Sequence, residues 1–202
     1  MPEATVFVVD DDDALRKSLR RLMQSVGLPV ETYPDAQAFQ ASYDPSRPGC
    51  LILDIRMPGM NGLELQQKLV SESIRIPVII MSAHGDVEKA VRAMKAGAVD
   101  FIKKPYKGKV LLERVRHALK LDAQIRREEA QRADIAARIA SLTPREHEVM
   151  KLLAAGKSPK QIAFEFGLSR KTVDVHRGHI MLKMQVDSLV ELAQLVQRQE
   201  AD

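Results

Sequence analysis

Five polar side chains stand where apolar runs end. Asp10 and Asp11 follow TVFVV, Asp54 closes CLILD just ahead of a Met-Pro-Gly turn, Ser82 closes PVIIMS, and Lys104 follows VDFIK. Short apolar runs bounded by turn residues suit strands covered on both faces, and the carboxyl edge of such a sheet is where ligands bind. Three carboxylates gathered there would repel one another and rise in pKa unless a cation neutralised them; oxygen-only ligands favour a hard ion such as Mg²⁺. A carboxylate beside a divalent cation, a hydroxyl and an ammonium is equipped to accept a phosphoryl group, because those partners neutralise charge on the transferring oxygens. Asp54 would be the nucleophile and would become an acyl phosphate.

The elements that must bring these residues together are legible over residues 1–121. TVFVV, PVETY, CLILD, PVIIMS and VDFIK alternate with segments of helical periodicity, which predicts a five-stranded parallel sheet with helices on both faces. Asp35, Asn61 and Asp86 stand at N-cap positions, Asp12 or Asp13 at that of the first helix, and Gly27 and Gly97 where helices should stop. Residues 107–121 read as the last helix of this domain.

The chain has 202 residues, 45% hydrophobic and 29% charged, which suits a soluble protein of two modest domains. No apolar run approaches the roughly 20 residues that span a bilayer, and the amino terminus lacks a signal-peptide pattern, so a cytoplasmic protein with no membrane partner is expected. Cys50 lies within an apolar strand and has no partner for an internal disulfide. The net charge of +4 is spread as +3, zero and +1 over residues 1–121, 122–140 and 141–202, so net charge alone does not announce nucleic-acid binding.

Residues 122–140 carry four acids and four bases without a regular apolar stripe, as a charged helix or tether would; Ile135 and Ile139 hint at partial packing. This stretch is expected to be the linker. From Leu142 the strands vanish and four short helices are expected. Thr143-Pro144-Arg145-Glu146 is a capping box, Ser158-Pro159 starts the second helix, and Gly167-Leu168-Ser169 turns into the third: helix-turn-helix grammar. In the third helix Val173, His176, Ile180 and Met184 form the expected inner stripe, with Lys171, Asp174, Arg177 and Gly178 facing out. A fourth helix, roughly 188–199, carries Leu189, Leu192 and Val196 on one stripe.

VVDDDDALRKSL, LILDIRMPGMNGLEL and PVIIMSAHGDVEKAVRAMKAGAVDFIKKP resemble the receiver domain of two-component response regulators, and LTPREHEVMKLLAAGKSPKQIAFEFGLSRKTVDVHRGHIMLKM resembles the LuxR and NarL class of output domains. Together they are similar to the FixJ-type subgroup. The resemblance implies an α/β flavodoxin-like receiver joined by a charged helical linker to an all-α tetrahelical helix-turn-helix domain. It also implies that Asp10, Asp11, Asp54 and the backbone carbonyl of Arg56 hold Mg²⁺, that Asp54 accepts the phosphoryl group, and that Ser82 and Lys104 contact its oxygens. Phe101 would be the switch aromatic, and the Lys104-Pro105 peptide would be cis. Lys103 and Ala83 depart from the family's common acid and glycine, and His84 reads as a rim residue.

The implied DNA-reading set is Arg170, Lys171, Thr172, Asp174, Val175, Arg177, Gly178 and Lys183, with Asp174 reading a base or orienting an arginine. His176 reads as a core histidine. The implied protein is a transcription factor activated by a sensor histidine kinase, dimeric when phosphorylated, binding double-stranded DNA and contacting RNA polymerase. It would accept and release phosphate at Asp54 without turning over an external substrate. A phosphohydrolase is disfavoured because LDIRMPG lacks a second aspartate two residues after Asp54. A DNA-binding protein without phosphate control is disfavoured by the intact pocket.

Overall fold

A computed structural model describes residues 3–83 and 87–200 of the chain; His84 and the expected cap Asp86 lie outside the described residues. Five strands, β1 (Thr5–Val9), β2 (Val30–Tyr33), β3 (Gly49–Asp54), β4 (Val78–Ser82) and β5 (Asp100–Lys103), form one parallel sheet in the order β2-β1-β3-β4-β5. Helices α1 (Asp13–Gln24), α2 (Ala36–Ser42), α3 (Gly62–Ser71), α4 (Val87–Lys95) and α5 (Gly108–Ala140) follow the strands in turn. The order reverses direction between β1 and β3, which opens a crevice beyond their carboxyl ends.

Alternation along the strands builds two cores. Val6, Val8, Cys50, Ile52, Ile79 and Met81 pack with Leu19 and Met23 of α1 and with Leu111 and Val115 of α5. Their neighbours Phe7, Val9, Leu51, Leu53 and Ile80 face Phe39, Leu65, Leu69 and Ala93 of α2, α3 and α4. Each such large side chain contributes about 1.5–3 kcal/mol when removed from water, so register is strongly specified on both faces. Burial pushes the Cys50 thiol up to about 12, which leaves it unreactive as well as unpaired.

Helix starts follow their caps. Asp12 accepts from the amides of Ala14 and Leu15, Asp35 from that of Ala38, and Asn61 exchanges hydrogen bonds with Glu64 in a capping box. The same grammar builds the second compact unit, where Thr143 and Ser158 head α6 (Pro144–Ala154) and α7 (Pro159–Phe166), and Ser169 heads α8 (Arg170–Met184). The last helix is α9 (Leu189–Glu200). Val149, Met150, Leu153, Ile162, Val173, Ile180, Met184, Leu192 and Val196 form its core.

One expectation needs revision. His176 is only half-buried, so the inner stripe of α8 is Val173, Ile180 and Met184; the histidine lies at the flank of that face. Residues 122–140 are helical as the later part of α5, and the chain divides within that helix into two compact units, residues 1–126 and 127–202. Asp122 and Arg126 are bonded into the first unit, whereas Arg138 donates to the Met184 carbonyl and Ile139 packs on the core of the second. These are hydrogen bonds with distant residues that no local pattern reveals.

Candidate functional site

Asp54 is delivered by β3, whose apolar run Cys50-Leu51-Ile52-Leu53 is wholly buried, and the residue is only 5% exposed. β1 hands over to Asp10, which is fully buried. Charge at such depth demands a partner. It comes from the loop after β5, where the Lys104 ammonium sits 2.8 Å from Asp10 Oδ2 and 2.5 Å from Asp54 Oδ1.

The second oxygen of each carboxylate is met by a backbone amide, Asp12 N donating to Asp10 Oδ1 at 2.9 Å and Arg56 N to Asp54 Oδ2 at 2.6 Å. Burial pushes the Asp10 carboxyl up, and the hydrogen bonds from Lys104 and Asp12 only partly offset it. Burial alone would lower Lys104, but its hydrogen bonds to the two carboxylates prevail and hold its pKa above the usual lysine value.

Ser82 is buried at the end of β4, and its carbonyl accepts the Lys104 amide at 2.7 Å, so hydroxyl and ammonium share one backbone connection. The Lys104-Pro105 peptide is cis. Phe101 is half-buried, packs on the α2-α3-α4 side of the sheet, and lines an apolar groove with Val87, Ala90, Val91 and Met94. Lys103 stands on the rim of that groove.

Asp11 is exposed, and among the described residues no three acidic, histidine or cysteine side chains assemble as a metal cluster. Of the three expected carboxylates, Asp10 and Asp54 are bridged by the Lys104 ammonium. The donor chemistry still fits a hard cation, because all donors are oxygens and each carboxylate oxygen keeps a further lone-pair direction beyond its single hydrogen bond.

Gly62 belongs to this site and was not singled out by its sequence. A Cβ there would lie 2.1 Å from the Asp54 carbonyl oxygen, and the Gly62 amide donates to the Ile55 carbonyl at 3.0 Å. The start of α3 is thereby pressed against the backbone that carries Asp54. The repeated glycines of MPGMNG were the available signal.

On α8, Arg170, Lys171, Thr172, Asp174, Val175 and Gly178 are exposed, and Arg177 is half-buried. Arg170 Nε lies 3.7 Å from Asp174 one turn on, and Thr172 is held by Ser169 as part of the cap. Nothing lies within 4 Å of where a Gly178 Cβ would be, so the fold itself does not demand glycine there.

Lys183, also in the expected set, makes an ion pair within the unit. Its ammonium is 2.6 Å from Glu146 Oε2, and Glu146 is buried at the head of α6, where the Thr143 amide also donates to it. These hydrogen bonds, Lys183 first, pull the Glu146 carboxyl down to about 2. Lys183 therefore ties α8 to α6 while remaining partly exposed.

A doubly wound receiver with a buried acidic pocket, followed by a helix-turn-helix unit, defines a class in which one module senses phosphate and the other reads DNA. Residues 6–116 match the response regulator receiver domain, and residues 140–196 match the bacterial regulatory proteins of the luxR family. The chain is 44% identical to the transcriptional regulatory protein FixJ of Bradyrhizobium diazoefficiens, over 96% of this chain and 94% of that one. It is 42% identical to the response regulator protein TodT of Pseudomonas putida, over 96% and 86%. The solved structure of the response regulator StyR superposes with a TM-score of 0.91 at 44% identity, covering 97% of this chain and 99% of that one. The chain belongs to the two-component response regulators of the FixJ type, with a LuxR-type DNA-binding output domain.

Two outcomes follow from this geometry. Gly62→Ala should lower the stability of the first unit by about 1–3 kcal/mol through overpacking, read from urea denaturation with β-sheet signal. Glu146 has a depressed folded pKa, so its contribution is fully present above its ordinary value of 4.5 and is lost as pH falls toward about 2. Hydrogen exchange in α6 and α8 should show Glu146→Gln less protected than the parent at pH 7, with the difference vanishing near the acid end.

Proposed function

We propose that this DNA-binding response regulator is switched by phosphoryl transfer from a sensor histidine kinase to Asp54. The supporting observation is the single ammonium of Lys104 held between two buried carboxylates at the sheet's carboxyl edge. One Asp54 oxygen attacks phosphorus, the bond from phosphorus to the donor nitrogen breaks, and the product is an acyl phosphate. Lys104 then pairs with a phosphoryl oxygen while keeping Asp10, and Ser82 donates its hydroxyl to another. The Arg56 amide, already on the other Asp54 oxygen, orients the acceptor for attack.

Asp10, Asp11, Asp54 and the Arg56 carbonyl would hold Mg²⁺, whose charge neutralises oxygens around phosphorus. Movement of Ser82 toward the phosphoryl group admits Phe101 inward. The face formed by α4, β5 and α5, with its apolar groove, then becomes the dimerisation surface. Two output units bind paired half-sites, Arg170, Lys171 and Arg177 meeting phosphates or bases, and Asp174 orienting Arg170. The +1 charge of residues 141–202 favours such paired binding, since one copy neutralises few phosphates. The protein acts in the cytoplasm and contacts RNA polymerase at its promoters.

With a small phosphoryl donor and Mg²⁺, the parent protein should incorporate label, sediment as a dimer and bind a two-half-site operator more tightly. Asp54→Asn should do none of these. Label retained by Asp54→Asn would remove Asp54 as acceptor, and a labelled protein that stays monomeric would remove the dimer step.

A further inference from the structure

Asp122 stands one residue past the apolar stripe of α5, yet it is 3% exposed. Its Oδ2 accepts the buried amide of Gly49, the first residue of β3, at 2.9 Å. Arg126, one helical turn on, places Nε 3.0 Å from both carboxylate oxygens of Asp122. The rest of its guanidinium reads three successive carbonyls of the loop before β3: Nη1 donates to Ser46 O at 3.0 Å, and Nη2 to Pro45 O at 3.1 Å and Arg47 O at 2.6 Å.

An exposed i,i+4 ion pair would hold only its own helix. This pair reaches across the fold, since the Arg126 fork and the Asp122 carboxylate together grip residues 45–49. Space there is also specified, because a Cβ on Gly49 would lie 2.1 Å from Thr5 O. The amino end of β3 is thus pressed against β1 on one side and bonded to α5 on another, while the far end of the same strand carries Asp54.

We propose that Asp122 and Arg126 are positioning residues that clamp the connecting helix to the amino end of the phosphoacceptor strand. The receiver's rigid body then extends through Arg126, and the helix becomes independent of it only from Arg127. Charge alone does not make this clamp: a lysine at 126 would keep the cation but lack the planar fork that reaches three carbonyls and Asp122 together.

The test is hydrogen exchange with limited trypsin digestion on the full chain, comparing the parent with Arg126→Gln and Arg126→Lys. In both variants, peptides covering 45–50 and 119–126 should exchange about tenfold faster or more, and trypsin should cut after the exposed Lys120 faster than in the parent. Peptides covering 5–9 and 51–54 should stay protected, and label uptake at Asp54 should be unchanged. Parent-like exchange at 45–50 and 119–126 in both variants would overturn the clamp. Should Arg126→Gln lose protection throughout the first unit, Arg126→Lys decides: local loss supports the clamp, and parent-like protection overturns it.

Discussion

The receiver half depends on one ammonium serving two buried carboxylates. Asp10 and Asp54 arrive on adjacent strands, and two carboxylates at that depth need a cation between them; burial pushes the Asp10 carboxyl up even with one present. Lys104 comes from two strands further along the sheet, so the charge balance exists only once β3, β4 and β5 are paired in order. Leaving a buried ion without its partner costs about 3–5 kcal/mol, a large fraction of a domain's net stability of roughly 5–15 kcal/mol. Under the proposed phosphoryl transfer, chemistry and folding would draw on the same contact, since the lysine that completes the resting fold is the cation nearest Asp54.

The output half solves a similar problem at smaller scale. Glu146 closes the capping box of α6 and, being buried, also needs a cation, which α8 supplies from Lys183. The ion pair sets α8 on α6, and Val173, Ile180 and Met184 fill the contact beneath it. α8 thus divides its basic residues by position: Lys183 near its end serves the fold, while Arg170 and Lys171 at its start stay exposed.

What the sequence made legible was local. Strand ends, capping boxes and the turn into α8 announce themselves within a few residues, because a cap or a period-two apolar run is satisfied by its neighbours. The receiver pocket was readable because five residues each stand at a strand end, and a parallel sheet brings all such ends to one edge. The Lys183–Glu146 pair was not legible for the complementary reason: the partner lies 37 residues away, and a basic residue on a helix looks the same in sequence whether or not it meets a buried glutamate. Asp10 and Asp11 are adjacent in the chain but differ in burial: Asp10 is buried and bonded to Lys104, and Asp11 is exposed.

Residues 122–140 carry the same lesson further. Equal numbers of acids and bases with no apolar stripe describe a solvated helix when each charge is paired only along its own turn. Asp122 and Arg126 satisfy that i,i+4 pattern and yet are bonded to residues 45–49, while Arg138 reaches the last turn of α8. Charge composition therefore cannot locate the boundary in α5. The residues that decide it are those whose hydrogen bonds leave the helix, and by that criterion the first unit holds the chain through Arg126 and the second has taken it up by Arg138.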